Sequence, residues 1–141
     1  MYYLDTNVLA YATENHQLYG KDCKRILFDI ELKKIKAFAS IQVLSEFLNV
    51  LVKFNRILEK DGKTKLNLGD NVAAVLALPI NWIDLSFPVI KKAATYDFRI
   101  SGPDYIHIAS MELFSVKLLL SADKELDKVD FVRRIDPLDY K

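Results

Sequence analysis

The carboxylates that could do chemistry in this 141-residue chain follow its apolar runs. Asp5 comes straight after YYL, Ser40 and then Glu46 after AFA, Asp84 after INWI, and Ser121 and Asp123 after LLL. A further acid, Asp104, opens the apolar stretch YIHIASMELF, which should be buried and where an unpaired carboxylate is costly. No basic residue lies near enough in sequence to serve all of these acids. Two carboxylates about 4 Å apart repel by about 4 kcal/mol at an effective dielectric of 20, so a cluster of three or four would hold protons or drive the site apart. A divalent cation resolves the conflict. Oxygen ligands without cysteine or paired histidines suit Mg²⁺ or Mn²⁺, and such a site suits phosphodiester chemistry: the ion lowers the pKa of a water to make a nucleophile, orients it, and stabilises charge on the phosphate and the leaving oxygen.

Each acid also has a plainer use. Asp5 stands where a helix needs a cap, and Asp84 reads as a turn acid before a helix. Gln42, Glu46, Asn49, Lys53 and Arg56 share a narrow stripe at a spacing of three to four residues, either the solvent side of a helix or a line of polar groups facing a site. Asp104, in a first helical turn, favours the helix dipole by up to about 1 kcal/mol. His107, three residues on, could exchange protons near a phosphate, although a hydrogen-bonded structural histidine is the simpler reading. His16 falls in a polar loop, and Cys23 fits the core of its helix.

The elements that must position these groups alternate. YYL at 2–4 reads as a short buried strand, with TNVLAYA starting a helix behind it and Thr6 or Asn7 as its cap. Cys23, Ile26, Leu27, Ile30 and Leu32 give the stretch from about 19 to 34 an amphipathic helical period. KAFAS is a second strand; Ser40 caps a long helix to about Leu58, ended by the turn EKDGK. A helix over 66–78 stops at Pro79. INWI is a third strand, and Ser86 caps a helix to about Tyr96. Gly102 at the cap and Pro103 at the first helical position fit a helix over 104–115. VKLLLS makes a fourth strand, DKELDKV a short helix and FVRRI a last strand. This alternation predicts an α/β fold with a parallel sheet covered by helices on both faces, whose ligands gather outside the carboxyl ends of the strands.

Composition narrows the setting. Half of the residues are hydrophobic (51%), enough for a core without staples, and no repeat or Pro/Gly-rich linker divides the chain, so a single domain over 1–141 is expected. The single cysteine, the lack of a secretion-type N-terminal stretch, and the interruption of the longest apolar run, VLSEFLNVLV, point to a cytoplasmic protein with no membrane partner. Twenty basic against nineteen acidic residues give a net charge of +1. Gathering four acids into one pocket would leave a basic surplus around it, with KDCKR, KKIK, KFNR and KKAA as candidate pieces of a rim.

Taken in order, LDTNVL with Asp5, SEF with Glu46, PDYIHIAS with Asp104 and LLLSADKEL with Ser121 and Asp123 resemble the four motifs of the PIN domain family, over nearly the whole chain. The resemblance implies a PIN-like fold with strand order 3-2-1-4-5. It also implies a metal-dependent endoribonuclease and, at this size, a VapC-type toxin of a type II toxin–antitoxin pair, a homodimer inhibited by a small antitoxin. Asp5, Glu46, Asp104 and Asp123 would then be the catalytic acids that hold Mg²⁺ or Mn²⁺. Asn7 and Ser121 would support them by orienting carboxylates, water or phosphate, and Asp127 is either an outer group of the site or a surface acid of its short helix. A PIN domain that serves only to bind or process RNA is the alternative, although a scaffold has no need of four mutually repelling acids. A phosphatase of the haloacid dehalogenase type fits less well, since Asn7 stands where its second Asp belongs.

Overall fold

The computed structural model describes residues 1–141, and its elements run β1 (Tyr2–Leu4), α1 (Thr6–Thr13), α2 (Gly20–Glu31), β2 (Ala37–Ser40), α3 (Ile41–Lys60), α4 (Leu68–Leu76), β3 (Ile80–Ile83), α5 (Phe87–Ala93), α6 (Gly102–Leu113), β4 (Leu118–Leu120) and β5 (Arg133–Ile135), with 3₁₀ turns at Lys124–Lys128 and Pro137–Asp139. The five strands form one parallel sheet in the order β3-β2-β1-β4-β5. This is the 3-2-1-4-5 order that the motifs imply. No helix is long and apolar enough to cross a membrane.

The sheet is apolar on both sides because neighbouring strand residues point to opposite faces. Leu4, Ala37, Ala39 and Leu120 join Val8, Leu9, Ile26, Val43, Phe47 and Leu51 in a core under α1 to α4. Tyr3 and Leu119 face the other way, with Ile108 and Met111 of α6. Cys23 is fully buried in the first core, as expected of a core thiol. Leu32 is not: it lies half exposed past the end of α2, because Lys33 takes a left-handed conformation (φ 59°) that stops the helix there.

Other boundaries shift for local reasons. Asp5 itself caps α1, in place of Thr6 or Asn7, since its extended backbone lets the side chain accept from Thr6 N. Ser101, one residue before Gly102, caps α6, because its hydroxyl offers the Asp104 amide an acceptor that glycine lacks. The helix after the long α3 begins at Leu68, not Leu66: Asn55 grips the Leu66 backbone at both its N–H and its carbonyl, at 2.8 and 2.9 Å, and Asn67 caps the helix. The short helix after β4 is a 3₁₀ turn.

Candidate active site

Register brings the first pair of site residues together. Leu4 lies beside Leu120 in adjacent parallel strands, so Asp5 and Ser121 emerge side by side at the carboxyl end of the sheet. Ser121 Oγ donates to Asp5 Oδ2 at 2.6 Å and accepts from Asn7 Nδ2 (3.2 Å) and Asp123 N (3.0 Å). That exhausts one hydroxyl's single proton and two lone pairs. Asn7 adds a second tie, its Oδ1 accepting from Ala122 N at 3.2 Å. The loop that carries Asp123 is thereby fastened to the start of α1, and Asp123 caps its own 3₁₀ turn by accepting from Glu125 N.

Glu46 comes from α3, one turn and a half past its cap at Ser40, and leans across α1. Its Oε1 accepts from Thr6 Oγ1 and from His107 Nε2, both at 2.7 Å. Asp104 enters from the first turn of α6. Asp5, Glu46, Asp104 and Asp123 all line one cleft of about 310 Å³, together with Asn7, Tyr11 and Glu14. Ligand atoms of Asp5, Glu46 and His107 lie within 4.8 Å of one another.

The electrostatics are those of a site short of positive charge. Burial pushes the Asp5 carboxyl above the usual aspartate range despite the opposing influence of His107, Ser121 and Thr6. Asp104 is raised too, first by burial and then by the Asp5 and Asp123 charges, against the Ser101 hydrogen bond and His107. Burial also works against ionised Glu46, but His107, Thr6 and Gln42 outweigh it and hold that carboxyl below its usual range. Burial opposes a charge on His107, yet its bond to Glu46 and the charges of Asp5, Glu46 and Asp104 raise its pKa. The donors at the cleft are mainly carboxylate oxygens with an amide among them, a set that fits a hard divalent cation.

Not every sequence candidate reaches the cleft. Asp127 is exposed and held by Arg134, Nε to Oδ1 at 2.8 Å and Nη2 to Oδ2 at 3.1 Å. It touches the site only indirectly, since Arg134 Nη1 also donates to the Ser121 carbonyl at 2.9 Å. Asp84 is exposed at the end of β3, outside the cleft lining. Sequence reasoning missed Thr6 as a partner of Glu46, and it missed Tyr11 and Glu14, although these lie four and seven residues after Asn7, in α1 and at its C-cap. It took His107 for a hydrogen-bonded residue, which it is, without seeing that its partner is an acid of the site.

A parallel α/β sheet with an acidic, cation-compatible cleft at the carboxyl ends of its strands defines the class. The PIN domain family model matches residues 2–132, and the chain belongs to that family. Among curated protein sequences nothing matches. Solved structures of similar fold include a toxin–antitoxin complex from Klebsiella pneumoniae, 15% identical with a TM-score of 0.66 over 97% of this chain and 98% of that one. VapBC2 from Rickettsia felis, bound to a DNA fragment from its promoter, is 17% identical with a TM-score of 0.68 over 95% and 96% of the two chains. The sarcin–ricin loop-cleaving toxin VapC20 of Mycobacterium tuberculosis is 16% identical, with a TM-score of 0.68 over 94% and 97%.

Proposed function

We propose that this chain is a Mg²⁺- or Mn²⁺-dependent endoribonuclease acting in the cytoplasm as the toxin of a type II toxin–antitoxin pair. The observation that carries the reading is the convergence of Asp5, Glu46, Asp104 and Asp123 from β1, α3, α6 and the β4 loop on one cleft. Burial, with the charges of neighbouring acids, raises the pKa of two of the four, Asp5 and Asp104. A bound divalent ion supplies Lewis acidity for water and for the phosphate.

The chain's own residues do the rest. The four acids hold the cation, and Ser121 and Asn7 fix the rotation of Asp5 and the path of the Asp123 loop. Arg134 secures that loop from behind through the Ser121 carbonyl, with Asp127 keeping the guanidinium in place. Glu14, the further acid at the cleft, has a pKa raised by burial against the pull of His16. An antitoxin partner is expected by likeness to the toxin–antitoxin complexes of similar fold. Homodimerisation is expected on the same family grounds.

Purified protein with Mg²⁺ or Mn²⁺ should cleave RNA, and Asp104→Asn should abolish cleavage while the protein remains folded. Expression in a bacterial host should be toxic and relieved by a co-expressed partner. A folded protein that cleaves no cellular RNA with either metal would leave a PIN scaffold as the reading.

A further inference from the structure

A tyrosine hydroxyl and an imidazole lie buried beneath the cleft, where two aliphatic side chains would fill the same space without the cost of desolvating polar groups. Tyr3 is fully buried in β1 and His107 is 2% exposed in α6. Every polar atom of the pair has a partner. Tyr3 Oη accepts from Ser40 N at 3.0 Å and meets His107 Nδ1 at 2.7 Å, and His107 Nε2 meets Glu46 Oε1 at 2.7 Å. Thr6 Oγ1 reaches the same Glu46 oxygen, also at 2.7 Å.

We propose that Tyr3 and His107 are positioning residues, a buried relay that sets the Glu46 carboxylate for cation binding by tying together the elements that carry Asp5, Glu46 and Asp104. The path closes on itself. It runs from β1 through Tyr3 to α6 through His107, on to α3 through Glu46, and back to Thr6, the residue that follows Asp5. The bond to Glu46 has one direction in either charge state of the imidazole, because an ionised carboxylate can only accept and Nε2 must therefore hold a proton. When the ring is neutral, Nδ1 accepts from the Tyr3 hydroxyl, so the tyrosine selects the tautomer that serves Glu46. Both donors engage one oxygen, which fixes the rotation of the carboxylate and leaves Oε2 uncommitted by either bond. For Nε2 itself to ligate a cation it would have to surrender the proton it gives to Glu46. Groups that orient a metal ligand in this way typically change metal affinity or activity by about 10- to 100-fold when removed.

The inference rests on Glu46 being a cation ligand, and two amide substitutions separate positioning from packing. His107→Gln places an N–H donor near Nε2 and keeps the bond to Glu46; His107→Asn places its amide near Nδ1 and loses it. Mn²⁺ binding is followed by calorimetry without RNA, and thermal unfolding is followed without metal. His107→Gln should hold Mn²⁺ within about threefold of wild type, whereas His107→Asn should weaken it about 10- to 100-fold, with similar unfolding temperatures for the two. Equal Mn²⁺ affinities for the two variants, or affinities that simply follow thermal stability, overturn the relay. Tyr3→Phe, which keeps the ring in place, should weaken Mn²⁺ binding several-fold even if both His107 variants misfold; wild-type affinity there overturns it as well. Wild-type protein that binds no Mn²⁺ refutes the cation site itself, and the relay falls with it.

Discussion

Replacing Asp5 by Asn should make the metal-free protein more stable while abolishing binding at the proposed cation site. Ligand atoms of Asp5 and Glu46 lie within 4.8 Å, a separation at which two unit charges repel by roughly 3.5 kcal/mol at an effective dielectric of 20. Burial is the largest penalty on the Asp5 charge, ahead of this repulsion, and a positive charge on His107 relieves part of it. Asparagine removes the charge and still caps α1, because Asn and Asp are about equally good at that position and its carbonyl oxygen can accept from Thr6 N. Against this, the new amide faces Ser121 Oγ, whose two lone pairs already serve Asn7 and Asp123, and Asn7 Nδ2, which donates to Asp5 Oδ2 at 3.3 Å, a mismatch that costs about 1–2 kcal/mol. The expected net gain is about 1–2 kcal/mol at pH 8 in EDTA, a rise in Tm of roughly 3–8 °C for a chain of this length. Saturating Mn²⁺ should reverse the order: a ligand at 100 times its Kd stabilises wild type by about 2.7 kcal/mol, and the variant should gain little. Scanning calorimetry of both proteins in EDTA and in Mn²⁺ reads all four values. A variant less stable than wild type in EDTA, with an equal gain from Mn²⁺, would refute the claim that these acids are held together for a cation.

Other outcomes follow from the same contacts. The raised Asp5 and Asp104 contribute stability that is present below the ordinary aspartate range and lost as pH climbs through their raised values, while the lowered Glu46 contributes stability that is lost as pH falls. Mn²⁺ affinity should therefore rise with pH and binding should release protons, which calorimetry in buffers of different ionisation enthalpy detects. Arg134→Ala should lower Tm and weaken Mn²⁺ binding several-fold by freeing the Ser121 carbonyl and Asp127; unchanged metal affinity would remove that arginine from the support of the site. Phe47→Ala, at a fully buried position in the core under α3, should cost about 3–5 kcal/mol in urea unfolding. The buried Cys23 thiol, its pKa pushed up to about 12 chiefly by burial, should react with a disulfide reagent only once the protein unfolds; rapid labelling of native protein would contradict its placement.

Much of this arrangement was legible because it depends on local chemistry. Short apolar runs bounded by caps and turns gave each strand, and LLL could be apolar throughout because Leu119 and Leu120 face different cores. Asp5 and Asp123 were visible for the same reason, each lying just past a strand that ends at the ligand-binding edge, while Glu46 and Asp104 stood out as acids within largely apolar helices. What stayed hidden depends on partners distant in sequence. The bond between His107 and Glu46 spans 61 residues and that between Thr6 and Glu46 spans 40, and no spacing rule along the chain announces either. Helix starts moved by one residue where a side chain's acceptor decided the cap, as at Asp5 and Ser101, and the attachment of Asp127 to Arg134 required knowing that β5 lies beside β4.

The central place of β1 bears on how the chain is made. Synthesis delivers Asp5 together with β1, yet one edge of that strand is bonded to β4, which emerges more than a hundred residues later. A nascent chain halted before Leu118 can pair β1 with β2 but has neither the Ser121 hub nor Asp123. The acidic cleft can therefore close only after β4 and the Asp123 loop have been made, so the proposed nuclease site forms late in the synthesis of this fold.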